Sequence, residues 1–108
     1  MTEHNTINVH ELKNLLDNNS GLCVIDVREL YEWDRGHIPG VAHIPKDELI
    51  TRITEQTSDK NQAIYLYCQA GVRSSIAAQW LVEAGYNQVY SVNGGIGEWE
   101  LCDYPVIK

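Results

Sequence analysis

Residues 63–84 read AIYLYCQAGVRSSIAAQWLVEA, and this stretch decides the fold. Ala63 to Tyr67 is a near-continuous run of apolar and aromatic residues, as expected of a strand buried on both faces. From Arg73 to Ala84 the apolar residues Ile76, Ala77, Trp80, Leu81 and Ala84 recur at helical spacing, and Gly85 supplies a C-terminal stop. Between strand and helix lies a short loop that begins at Cys68.

The rest of the chain repeats the alternation. Leu22 to Val27 is a second buried-strand run, and Thr6–Val9, Val41–Ile44 and Gln88–Val92 are shorter strand candidates. Val9, Leu12, Leu15 and Leu16 share one helix face, with Asn8 and Glu11 spaced as a capping box. Asp47 to Thr54 groups Leu49, Ile50 and Ile53. Gly36, Pro39, Gly40 and Pro45 punctuate one loop region, and Asn18–Gly21 and Ser58–Gln62 are polar loops. Asn93-Gly94-Gly95 reads as a turn before Gly97-Glu98-Trp99. Strands alternating with helices predict an α/β fold with a mostly parallel central sheet flanked by helices. The length of 108 residues predicts a single domain over 1–108.

Composition narrows the function classes. The net charge of -7 argues against nucleic acid or an anionic membrane as partner, since both need a basic face. No apolar run reaches the roughly 20 residues of a membrane span, and Met1 to Asn8 lacks the layout of a signal peptide. A soluble, cytoplasmic protein is the expectation. Cys23, Cys68 and Cys102 are too few and too widely spaced for a disulfide framework. With His4, His10, His37 and His43 they form no metal-ligand pattern, so neither metal nor other cofactor is expected.

The chemistry centres on Cys68. In parallel α/β sheets, ligands bind beyond the carboxyl ends of strands, where helix N-termini point. Unpaired amides at a helix start and in a tight loop favour negative charge. Gly71 lets the loop curl, and Arg73 adds a planar cationic fork. Such settings stabilise a cysteine thiolate, the nucleophilic form. A lone cysteine at a strand end is more often an inert core residue; Gly71, Arg73 and the helix start shift the balance toward a reactive thiol.

Three stretches in order resemble the rhodanese family. They are CQAGVRS (68–74), CVIDVRELYEWDRGHIPGVAHIP (23–45) and NGGIGEW (93–99). The resemblance implies a rhodanese-like three-layer fold with about five strands. It implies a double-displacement sulfurtransferase in which Cys68 takes a sulfane sulfur from a small anionic donor such as thiosulfate. Cys68 then passes it to cyanide, a thiol or a protein acceptor. By the same resemblance the amides of Gln69, Ala70, Gly71, Val72 and Arg73 hold the outer sulfur, Arg73 orients the donor, and Ser74 hydrogen-bonds the thiolate. Four residues separate Cys68 from Arg73. Phosphatases and arsenate reductases of this fold have five, so the gap favours sulfur over phosphate. Thiosulfate-using two-domain members carry an Arg six positions after the first Asp of their Asp-x-Arg motif; here that position is Glu32, which puts efficient use of thiosulfate in doubt. A sulfur-relay or protein-binding module with little turnover is the alternative.

Other residues read mainly as structural. Asp26 and Arg28 are expected to tie loops together rather than touch substrate. His37 is expected to brace its loop rather than act as a base. Trp99 and Trp33 are expected to fill space, and Trp80 to lie in the core. Cys23 should be inert, and Cys102 too peripheral to serve as a resolving thiol.

Overall fold

The computed structural model describes residues 3–108. Its centre is a five-stranded parallel sheet in the order β1-β5-β4-β2-β3. The strands are β1 (Asn5–Ile7), β2 (Cys23–Asp26), β3 (Ala42–His43), β4 (Ala63–Tyr67) and β5 (Gln88–Val92). The helices are α1 (Val9–Asn18), α2 (Leu30–Arg35), α3 (Leu49–Arg52), α4 (Val72–Glu83) and α5 (Gly95–Leu101). This is the expected α/β architecture, with the run that ends at Cys68 as the middle strand.

Alternation along β2 and β4 sends side chains to two cores. Ile25, Ile64 and Leu66 face a layer containing Leu49, Ile53, Ala77, Ala78 and Leu81. Val24, Tyr65 and Tyr67 face the opposite layer, with Leu12, Ile96 and Trp99. Helices α3 and α4 thus cover one face, and α1 and α5 the other. Among the described residues no helix is long and apolar enough to cross a membrane.

The capping box of α1 forms as expected: Glu11 N–H donates to Asn8 Oδ1 at 2.8 Å, and Asn8 N–H donates to Glu11 Oε1 at 3.0 Å. Several boundaries and faces differ from expectation. The first strand ends at Ile7, because Val9 already opens α1. The stretch expected as one helix from Asp47 is a 3-10 turn (Lys46–Glu48), the single turn α3, and a second 3-10 turn (Ile53–Glu55). Leu49 and Ile53 are buried there, whereas Ile50 is exposed. On α4 the buried stripe is Ser74, Ala77, Ala78 and Leu81. Ile76 and Ala84 are exposed, and Trp80 is half-buried under the Lys46 ammonium, 4.5 Å from its ring centroid. The helix is turned because Ser74, a polar residue, must face the sheet to meet Cys68 and Ser91.

Two helices have no counterpart in the sequence reading. Helix α2 has only six residues and no buried side chain, so hydrophobic periodicity is absent. Helix α5 begins at Gly95 and contains Gly97, residues that count against helix.

Candidate active site

Cys68 sits immediately past the end of β4, and its loop curls into the start of α4. Gly71 takes φ +110°, a conformation that other residues rarely adopt. That curl turns amides inward. Cys68 Sγ accepts from Gly71 N–H at 3.1 Å and Ser74 N–H at 3.4 Å, and Ser74 Oγ lies at 3.6 Å. Ser74 Oγ also meets Ser91 Oγ at 2.8 Å and donates to Gly71 O at 3.2 Å; with Ser91 donating to it, a small rotation turns its one proton from Gly71 O to a Cys68 thiolate. Burial pulls the Cys68 thiol upward. The Ser74 hydroxyl and the amides of Ser74, Gly71 and Ala70 outweigh it and hold the pKa below its ordinary value.

A second helix start holds the loop from behind. Ile96 N–H donates to Cys68 O at 2.9 Å, and Gly97 N–H donates to Gln69 O at 3.0 Å. With those carbonyls drawn toward α5, the amides beyond them are free to face Sγ. The close approach requires glycine: a Cβ at Gly95 would lie 2.3 Å from Cys68 O and 2.6 Å from Gln69 O. Asn93 and Gly94 form the expected turn, and the second glycine of the pair, Gly95, opens α5 and permits contact between two backbones.

Arg73 is already partnered. Its Nη1 and Nη2 donate to Glu32 Oε1 and Oε2 at 2.6 and 2.9 Å. The Arg73 guanidinium pulls the Glu32 carboxyl down to about 2, so the pair is charged on both sides at neutral pH. Glu32 therefore does more than withhold a cation from its own position; it offsets the charge of Arg73. Gln69, Ala70 and Val72 are exposed at the loop's outer edge, while Ser74 is fully buried.

Asp26 and Arg28 form the expected tie. Arg28 Nε donates to Asp26 Oδ1 at 3.0 Å and Nη2 to Oδ2 at 2.8 Å, and Nη2 also reaches Gly36 O at 2.7 Å. His37 braces as expected. Its backbone exchanges hydrogen bonds with Ile107, and its ring stacks on Trp33 at 3.4 Å between centroids. Trp33 is half-buried and stacks on His43 as well. Trp99 is core, its Nε1–H donating to Pro105 O at 2.8 Å.

The other cysteines lie elsewhere. Cys23 pairs in register with Ile64, about 13 Å back along the strand direction from Cys68 at roughly 3.3 Å per residue. Burial pushes its thiol up to about 11, which keeps it protonated. Cys102 caps the far end of α5, about 10 Å from the end that touches the loop at 1.5 Å per residue.

Comparison with known proteins agrees with this geometry. Residues 8–102 match the family model described as Rhodanese-like domain. The chain is 37% identical over 93 residues to the putative sulfur carrier protein YrkF of Bacillus subtilis, covering 86% of this chain and 49% of that protein. It is 36% identical over 94 residues to the probable adenylyltransferase/sulfurtransferase MoeZ of Mycobacterium tuberculosis, covering 87% of this chain and 24% of that protein. The chain thus spans about half of one relative and a quarter of the other. Among solved structures, a rhodanese-related protein from Thermoplasma volcanium superposes with a TM-score of 0.82 at 30% identity, covering 96% and 98% of the two chains. A thiosulfate sulfurtransferase from Pseudomonas aeruginosa superposes with a TM-score of 0.87 at 28% identity, covering 96% of this chain and 20% of that one. The matched span takes in the Cys68 loop, the Asp26–Arg28 tie and the glycine platform of α5 together, and the chain belongs to the rhodanese-like domain family.

Proposed function

We propose that this protein is a sulfurtransferase that carries sulfane sulfur as a persulfide on Cys68. The observation that supports it most directly is the cradle at Sγ: two backbone amides and the Ser74 hydroxyl within 3.6 Å. These groups stabilise a thiolate without calling on a general base. In the loading step the thiolate attacks the sulfane sulfur of a donor. The donor's own bond to that sulfur breaks, and its electron pair leaves with the remainder, sulfite in the case of thiosulfate. A nucleophilic acceptor then takes the outer sulfur and returns Cys68 to the thiolate. In this reading the loop amides from Gln69 to Arg73 hold the outer sulfur, a role supported by the Gly71 amide already turned toward Sγ. A thiolate carrier of this kind suits a reducing compartment such as the cytoplasm.

Because Glu32 offsets Arg73, the site offers little net positive charge to a dianionic donor such as thiosulfate. Incubation with polysulfide should add one sulfur to Cys68 by mass spectrometry, and Cys68→Ser should remove both the adduct and thiocyanate formation from cyanide. Sulfur found on Cys23 or Cys102 instead would overturn the assignment. Turnover of aryl phosphates should be negligible.

A relay to a protein acceptor is the second reading. Leu30, Tyr31 and Val72 are 60, 61 and 70% exposed. They flank the Glu32–Arg73 pair on α2 and α4, an apolar rim suited to a docked partner.

A further inference from the structure

Beside the Cys68 loop lies a cleft of about 180 Å³ walled by Arg28, Glu32, Arg35, Gly36, Gln69 and Glu100. Gln69 follows Cys68 directly, so the cleft opens one residue from the nucleophile. Glu32 is committed to Arg73. Arg28 is committed only in part. Its Nε and Nη2 hold Asp26 and Gly36 O, while Nη1 has no hydrogen-bond partner among the described residues. Arg28 is 4% exposed, and no buried side-chain nitrogen or oxygen among the described residues lacks a partner. Nη1 therefore keeps the little solvent contact this side chain has, and the cleft is where Arg28 meets solvent. A guanidinium nitrogen carries two donors in a fixed plane.

The rim adds one charge of each sign. Arg35 and Glu100 are both exposed, and neither takes part in an ion pair among the described residues. The Arg35 guanidinium lies over the Tyr31 ring at 5.4 Å, which places it on the α2 side. Glu100 approaches from α5. The cleft thus offers cationic donors at one wall and a carboxylate at the other, the complement of an α-amino acid group. A purely anionic ligand would meet Glu100 at a cost, and a purely cationic one would meet two guanidinium groups.

We propose that this cleft binds the zwitterionic α-amino acid end of a small thiol, cysteine being the simplest, which accepts sulfur from Cys68. Its carboxylate pairs with Arg28 Nη1 and Arg35, and its ammonium pairs with Glu100. This deepens the sulfurtransferase reading and rests on it. In the step itself the acceptor's thiol proton goes to solvent, and its thiolate attacks the outer sulfur of the Cys68 persulfide. A new S–S bond forms, the bond between Sγ and the outer sulfur breaks, and that electron pair stays on Sγ. The products are the acceptor persulfide and the Cys68 thiolate, with no external oxidant or reductant.

The test starts from full-length protein whose Cys68 has been charged with polysulfide and verified by mass. Discharge is then followed with L-cysteine, cysteine methyl ester, N-acetyl-L-cysteine and 2-mercaptoethanol at matched thiolate concentrations. The second-order rate with L-cysteine should exceed the other three at least tenfold. Arg35→Gln should erase the preference over the methyl ester, and Glu100→Gln the preference over the N-acetyl compound; each is read as a ratio to 2-mercaptoethanol within the same variant. Rates within twofold across the four thiols, or variants that keep the parent ranking, would overturn the assignment of the cleft. Failure of Cys68 to take sulfur from any donor would instead overturn the carrier reading beneath it.

Discussion

Replacing Glu32 with Gln changes the charge at the mouth of the loop and little else. Glu32 Oε1 accepts from Glu29 N–H at 3.1 Å in a capping box, a role Gln fills as well. What is removed is the carboxylate that holds both arms of Arg73. The Arg73 guanidinium, aided by the Glu29 amide and the Arg28 charge, pulls the Glu32 pKa from 4.5 to about 2, which corresponds to roughly 3 kcal/mol at 1.36 kcal/mol per unit, an upper bound on the share of Arg73. The side chains of Glu32 and Arg73 are 13% and 33% exposed, so solvent screening brings this to about 1–2 kcal/mol. A lowered carboxylate pKa contributes stability that is fully present above about pH 4.5 and is lost as pH falls through about 2. Glu32→Gln should therefore lower Tm at pH 7, by about 4–8 °C for each kcal/mol, and the gap to the parent should close toward pH 2. The functional effect runs the opposite way. A released guanidinium can take the anionic oxygens of a donor. One such charge-assisted hydrogen bond contributes about 1.5–3 kcal/mol, or roughly 10- to 100-fold in binding. In the thiosulfate-to-cyanide assay, KM for thiosulfate should fall by that factor. A KM within twofold of the parent, or a higher one, would refute the argument that Glu32 sets the charge of the site.

Ser74→Ala removes the hydroxyl that helps hold the Cys68 thiolate and strands Ser91. The midpoint of the alkylation pH profile should rise by about one unit for each 1.4 kcal/mol of lost hydrogen bonding; an unmoved midpoint would mean that the backbone amides alone set it. In the parent protein that midpoint should lie below the ordinary thiol value of about 8.5. Gly95→Ala places a methyl against the backbone of Cys68 and Gln69 at a positive φ. It should cost about 3 kcal/mol or more in urea unfolding and abolish Cys68 persulfidation in whatever protein stays folded. Cys23→Ala should leave the persulfide yield unaltered, since its thiol stays protonated at the opposite end of the strand; a lower yield at equal folded fraction would place Cys23 in the relay.

Much of the site was legible because its parts are local. A buried strand, a cysteine, a glycine and a helix start follow one another within ten residues, and their chemistry depends on that order alone. The capping box at Asn8 and Glu11 was legible for the same reason. The faces of the helices were less so. Ile76 and Trp80 fit helical spacing as well as Ala78 does, and no spacing rule says that Ser74 claims the inward position. Helix α2 was invisible because it buries none of its own residues.

The sequence by itself determined that Cys68 stands at a strand end before a helix, in a loop whose amides favour a thiolate. Hydrogen-bonding groups and apolar periodicity within a short window suffice for that. The tertiary structure alone decided the charge around the thiolate and what lies beside it. Glu32 and Arg73 are 41 positions apart, and the backbone contact of Gly95 with Cys68 spans 27. The cleft between α2 and α5 joins residues from 28 to 100. Such pairings arise when the sheet brings distant strand ends to one edge, and long-range closure leaves no mark in any local window of the chain.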